Sequence, residues 1–291
     1  MNFKVSAAPP TGLPTTITQP ELDILVRKLQ DRTNPKQQLK ATTTLANLAH
    51  NTDNQIEIGK TDGAIDALVA LLLSTTPKLQ LAAAKVLAKL AHNVDNQTPI
   101  GEAGGAIVAL AKALRSHNIK LQLAAATALA NLAANHGVNQ DKINAIDGTI
   151  KQFVNLLGSE YPRVQYVAAT ALSNLAGDVE NRVLIGQNTD AIDKLVQLLK
   201  SPHAEVIEAA AKALIYLSKG IRPNKAGVEA AVIGSGVLDE LHKNDNKDIQ
   251  QKARETTGKV LIAPKNRQLY ILRLILYIAN YKPVDQRKAT K

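Results

Sequence analysis

The sequence predicts an all-α solenoid, and three observations carry that reading. First, a short motif returns at nearly constant spacing. Asn47 in LANLA, Lys89 in LAKLA, Asn131 in LANLA, Asn174 in LSNLA, Tyr216 in LIYLS and Lys259 in GKVLI follow at steps of 42, 42, 43, 42 and 43 residues. We call these the index positions. Second, Ala41, Ala83, Ala125, Ala168, Ala210 and Ala253 precede them by six residues, and Leu45, Leu87, Leu129, Leu172 and Leu214, then Thr257, by two. One residue after them come Leu48, Leu90, Leu132, Leu175, Leu217 and Val260. At about 100° per residue the three offsets fall within about 60°, which is one buried stripe on a helix. Third, a unit of this length cannot bury such a stripe alone and must stack on its neighbours.

The elements follow in order. Residues 1–20 carry Pro9, Pro10, Pro14 and Pro20 among Ser and Thr and read as an extended, flexible tail. Glu21 to Asp31 regains helical spacing, and Thr33, Asn34 and Pro35 read as the cap and first turn of the next helix. The array spans 21–265 in about six units, the first partial and the last degenerate. Asn54, Asn96, Asn139, Asn181 and Asn224 are placed to cap a short first helix in each unit. Nine residues beyond the first four, Gly63, Gly105, Gly148 and Asp190 mark a sharp turn. The second helix then reads AIDALVALLL, AIVALAKALR, TIKQFVNLLG or AIDKLVQLLK, and loops with Pro77, Pro162 or Pro202 lead into the third. In the last unit Gly236 follows Asn224 by 12 residues, and Thr257 and Gly258 replace Leu and a small residue. Residues 266–281 are expected to form a helix that covers the end of the core or serves self-association, with a basic tail over 282–291.

Composition agrees. Aromatic residues are 3% of the 291 and tryptophan is absent, so the core of this single elongated array must be Ala, Leu, Ile and Val. The absence of cysteine excludes disulfides, thiolate metal sites and cysteine nucleophiles. The N-terminus has no continuous apolar stretch of the signal-peptide kind, and no segment reaches spanning length. A soluble, intracellular protein is expected, cytoplasmic first, with a nuclear location or delivery into a host cell by a bacterium left open. The net charge of +10 favours acidic partners.

The succession N-Q-x-x-I-G, G-A-I-x-x-L-V-x-L-L and A-A-x-A-L-x-N-L-A resembles the armadillo repeat, over roughly residues 21 to 265; a HEAT-like array with two helices per unit is the alternative. The resemblance implies a right-handed solenoid whose third helices line a concave groove for an extended or helical segment of a partner protein. It implies a non-enzymatic scaffold with no cofactor. It also implies that Asn at the index position, here Asn47, Asn131 and Asn174, holds a peptide main chain, because a carboxamide offers both donor and acceptor. Import adapters of the family carry Trp four residues earlier, where this chain has Thr43, Lys85, Thr127, Thr170, Lys212 and Glu255.

A second row is read from the residues alone. Eleven positions before the index stand Lys36, Lys78, Lys120 and Arg163, then Glu205 and Asp248. That offset lies about 20° from the index, on the same face. Positive charge in a helix's first turn opposes the macrodipole, so helix propensity does not explain the row. Lys40, Lys85 and Lys89 add charge to the same half. An acidic segment is therefore the expected partner. The plain alternative is ordinary surface lysine copied by duplication, and nucleic acid or an anionic membrane surface is the other class of partner, one for which stacking aromatics are scarce. Leu39, Leu81, Leu123 and Tyr166 are expected to pack between repeats. His50 and His92 share one station, but axes about 8–10 Å apart set them too wide for a shared metal. No phosphate loop, paired-carboxylate cluster or nucleophile motif is present, so no metal or small-molecule substrate is expected.

Overall fold

The computed structural model describes residues 16–236 and Gln251. All regular structure among them is α-helical, in fifteen helices. The expected capping helix over 266–281, the basic tail and most of the sixth repeat lie outside the described residues, as does the tail up to residue 15. The chain divides into two compact units, Met1–Thr149 and Ile150–Lys291.

The first unit opens with α1 (Gln19–Gln30) and α2 (Pro35–Leu48). Two three-helix repeats follow: α3 (Thr52–Lys60), α4 (Ala64–Leu72) and α5 (Pro77–Leu90), then α6 (Val94–Glu102), α7 (Ala106–Ala113) and α8 (Ile119–Leu132). A further first helix, α9 (Gly137–Asn144), completes it. The second unit holds α10 (Thr149–Leu157), α11 (Pro162–Leu175), α12 (Val179–Gln187), α13 (Thr189–Leu198), α14 (Ala204–Leu217) and α15 (Arg222–Gly234). Third helices pack in series, α2 on α5 and α5 on α8 in the first unit, α11 on α14 in the second. The three apolar offsets explain this. In the five described third helices every residue of the Ala row and of both Leu rows is buried. Ala in the first row lets adjacent helices approach closely, while Leu fills the space behind.

Turn chemistry sets the helix starts. Asn34 caps α2 by accepting from Gln37 N at 3.0 Å, with Pro35 as first helical residue, and Pro77 and Pro162 repeat that use of proline. Gly63, Gly105 and Gly148 take φ of 68°, 80° and 74°, the left-handed conformation that glycine adopts freely. Asp190 does not make this turn. It lies inside α13, which starts at Thr189 from an extended Asn188, and its carboxylate sits in the first turn where it favours the macrodipole.

The expected asparagine caps are corrected. The short first helices are capped three residues earlier, by Asn51, Asn93, His136 and Asp178. Asn54, Asn96, Asn139, Asn181 and Asn224 are instead buried third residues of their helices. Their amides join repeats. Asn96 donates to Gln55 O at 2.8 Å and Leu90 O at 3.2 Å, and Asn139 to Gln97 O at 3.0 Å and Leu132 O at 3.1 Å. In the second unit Asn224 reaches Arg182 O at 2.7 Å, whereas neither side-chain polar atom of Asn181 has a partner among the described residues. The glycine that closes N-Q-x-x-I-G makes the room. A Cβ on Gly59 would lie 1.7 Å from Asn96 Oδ1, on Gly101 1.9 Å from Asn139 Oδ1, and on Gly186 2.0 Å from Asn224 Oδ1.

The inner end of the Pro-rich tail belongs to the fold. Ile17 is buried and its N–H donates to Asn54 Oδ1 at 3.0 Å. Thr18 caps α1, donating from its N–H at 3.0 Å and its hydroxyl at 2.7 Å to Glu21 Oε2. These two bonds hold the Glu21 carboxyl below its usual range. Pro20 sits in the first turn, where a missing N–H costs nothing.

Candidate partner-binding groove

Each member of the charged row is the second residue of its third helix: Lys36 in α2, Lys78 in α5, Lys120 in α8 and Arg163 in α11, all exposed. None of these four first turns carries an acidic residue, while that of α14 carries Glu205. Lys36, Lys78 and Lys120 thus repeat on one face of the first unit, and Arg163 holds the same station in the second. Lys40 and Lys85 are also exposed. Among the described residues the ion pairs are Lys60 with Glu57 and Lys212 with Glu208, so the lysines of the row have no carboxylate of their own there.

Between α2 and α5 lies a recess of about 400 Å³. Leu39, Ala46, Leu81 and Ala82 form its apolar walls, with Thr43 and Asn47 on one helix and Lys78, Lys85 and Lys89 on the other. Leu39 and Leu81, expected to pack between repeats, are half-buried and also line it. Thr43 spends its hydroxyl on Leu39 O at 2.8 Å. Lys89 sits deepest. Its Nζ donates to Ala46 O of the preceding third helix and lies 2.9 Å from His50 Nε2. It also lies 3.1 Å from His50 Nδ1, so the ammonium sits over the imidazole, whose Nδ1 is 2.9 Å from Asn47 O of its own helix. Burial, and then the charge of Lys85, bring the Lys89 ammonium down to about 8.

The index row divides. Asn47 is exposed, and its carboxamide makes no hydrogen bond among the described residues. Asn131, half-buried, donates to Ala88 O at 2.9 Å, just as Lys89 donates to Ala46 O one repeat earlier. The index side chain therefore secures the repeat before it, a role its spacing did not reveal. In the second unit Asn174 lines a smaller recess of about 180 Å³ with Tyr166, Thr170, Ser173, Ala209, Glu208 and Lys212. Glu208 occupies the station of Leu81 and binds Lys212 at 2.6 Å. That recess is internally neutralised. The signal was present in the row Leu39, Leu81, Leu123, Tyr166, whose next member is Glu208. A larger cavity of about 660 Å³, lined by Leu29, Arg32, Gln38 and Asp66 among others, carries both signs of charge and no member of the lysine row.

Among the described residues no cluster of His, Asp or Glu is placed to hold a metal ion, and no helix is long and apolar enough to cross a membrane. Stacked helical repeats with a lined groove define a repeat-solenoid scaffold, a class suited to protein binding and typically non-enzymatic. A family model described as HEAT repeats matches residues 107–215. A designed armadillo repeat protein in complex with the peptide (KR)4 is 26% identical over 80% of this chain and 97% of that one, at a TM-score of 0.69. Computationally designed armadillo repeat proteins for modular peptide recognition are similar at 25% identity, 80% and 97% coverage and a TM-score of 0.70. An engineered protein is 31% identical over 80% of this chain and 94% of its own, again at 0.70. No curated protein matches. The chain is an armadillo-type repeat solenoid, the fold of these designed armadillo repeat proteins, and the HEAT repeat that matches within it is a closely related unit.

Proposed function

We propose that this protein is a non-enzymatic scaffold that binds an acidic segment of a partner protein along the third-helix face of its first unit. One observation carries the reading. Lys36, Lys78 and Lys120 recur at one exposed station of three successive third helices, and Lys78, Lys85 and Lys89 converge on the α2–α5 recess whose lining contains no carboxylate. Lys40 extends the same positive face, while Asn47 and Asn131 offer polar contacts within it. Arg163 and Asn174 are the corresponding residues of the second unit. A similar designed protein holds the basic peptide (KR)4, so a member of this fold can take a charged peptide. Here the side chains select the opposite sign. The test is fluorescence anisotropy with labelled (Glu-Asp)n and (Lys-Arg)n peptides, and with duplex nucleic acid and anionic vesicles, at low and moderate salt. Salt-sensitive binding of the acidic peptide alone supports the proposal. Equal or tighter binding of nucleic acid or vesicles replaces it with the anionic-surface reading, and preference for the basic peptide refutes it.

A further inference from the structure

Resting on that acidic-segment reading, we infer that the segment is recognised as an α-helix, through side chains on one face, rather than as an extended main chain. The index row shows why. An extended peptide brings a donor and an acceptor with every residue, and those turned into a groove need partners there. In the first unit two of the three index side chains already give a donor to the preceding repeat, Lys89 to Ala46 O and Asn131 to Ala88 O, which ties them to their neighbours and leaves each with less to offer a main chain than a free carboxamide. The hydroxyls of Thr43 and Thr127, four residues earlier, are bonded to Leu39 O and Leu123 O, both at 2.8 Å. Asn47, at one end, is the index side chain left with a complete carboxamide. A helix asks for none of this, because its main chain is satisfied internally.

Spacing points the same way. Stacked third helices recur about every 8–10 Å, so Lys36, Lys78 and Lys120 form a row with roughly that step. Along a helix seven residues advance about 10.5 Å and return to nearly the same face. Glutamates at i, i+7 and i+14 therefore meet the three lysines together, and an apolar side chain between the first two enters the recess walled by Leu39 and Leu81. A β-strand covers the same step in about three residues, which turns alternate acids away. A polyproline II segment matches the step and the face, but its unbonded main chain needs partners at every residue, and the index side chains are already tied to the preceding repeat.

The experiment uses the full chain and two peptides of one composition and net charge. In the first, glutamates stand at i, i+7 and i+14 on an alanine-rich helix with leucine between them, and prolines lie outside that span. In the second, the prolines interrupt the centre. The helical peptide is expected to bind about tenfold tighter or more and to gain helicity on binding. Lys78→Glu with Lys120→Glu removes that advantage. If the interrupted peptide binds as tightly or more tightly, the helix inference is overturned while the acidic-segment reading stands. If neither binds at low salt and (Glu-Asp)n also fails, both are overturned.

Discussion

Replacing Gly101 by Ala tests the packing logic of the array more sharply than any core truncation. In a helix the change gains up to about 1 kcal/mol of intrinsic propensity. Here the new methyl lands 1.9 Å from Asn139 Oδ1, and that buried side chain cannot swing aside without releasing Gln97 O and Leu132 O. The Leu132 carbonyl and the displaced Asn139 amide, both buried and left unsatisfied, cost about 1–3 kcal/mol each, so the net loss is about 1–5 kcal/mol. The assay is guanidinium unfolding followed by far-UV circular dichroism, with wild type, Gly101→Ala, Asn139→Ala and the double variant forming a cycle. The single changes should be non-additive by at least about 1 kcal/mol, because once Asn139 is truncated the methyl meets nothing to displace. Gly137→Ala is the control. A Cβ there has no neighbour within 4 Å, and the expected change is within about 0.5 kcal/mol. A Gly101→Ala protein as stable as wild type, or more so, would refute the proposed role of the glycine.

Four further outcomes are expected. Lys78→Glu with Lys120→Glu should weaken binding of an acidic peptide by about tenfold to a hundredfold, with circular dichroism unchanged, since exposed charges contribute modestly and each reversal adds repulsion; unchanged anisotropy titrations at low salt would place the site elsewhere. Lys89 has its folded pKa depressed to about 8 from an ordinary 10.5, so the folded state binds fewer protons in that window. Stability should rise between those values and affinity for an acidic peptide should fall as pH climbs through 8, both effects vanishing in Lys89→Met. Glu21 has its pKa lowered by Thr18, so its contribution is present above the unfolded value and lost as pH falls through the folded one; melting temperatures across acid pH should diverge between wild type and Glu21→Gln at the upper end and converge at the lower. Truncation through Pro20, compared by thermal melting with truncation through Thr15, should cost about 2–4 kcal/mol more, because it removes buried Ile17 and strands Asn54 Oδ1.

Much of the fold was legible because its signal repeats. The Ala row and the two Leu rows identified the third helices and their buried faces, and Gly63, Gly105 and Gly148 marked real left-handed turns. Asn54 and its counterparts show the limit. Their spacing announced a recurrent role, but a cap and a buried bridge between repeats produce the same periodicity. Only packing separates them. The charged row was placed at its helix stations by counting alone. What counting could not supply was the occupancy of donors, since Asn131 and Lys89 look available until their neighbours' carbonyls are positioned. The contrast between Leu81 and Glu208 likewise became meaningful once both were seen to line equivalent recesses.

The asparagine and glycine of the first helices also give the first unit a direction of assembly. Each of α3 and α6 carries a plug, Asn54 or Asn96, facing the segment before it in the stack, and a socket, Gly59 or Gly101, open to the repeat after it. The first plug is received by the N–H of Ile17, which acts as a starter. α9 supplies the plug Asn139 but has Asn144 where the socket residue would be. A transplanted repeat must therefore carry a socket at its trailing edge to accept the next plug. A cut made between Gly59 and Asn96 leaves one half with an unfilled notch and the other with a buried amide that has nowhere to go.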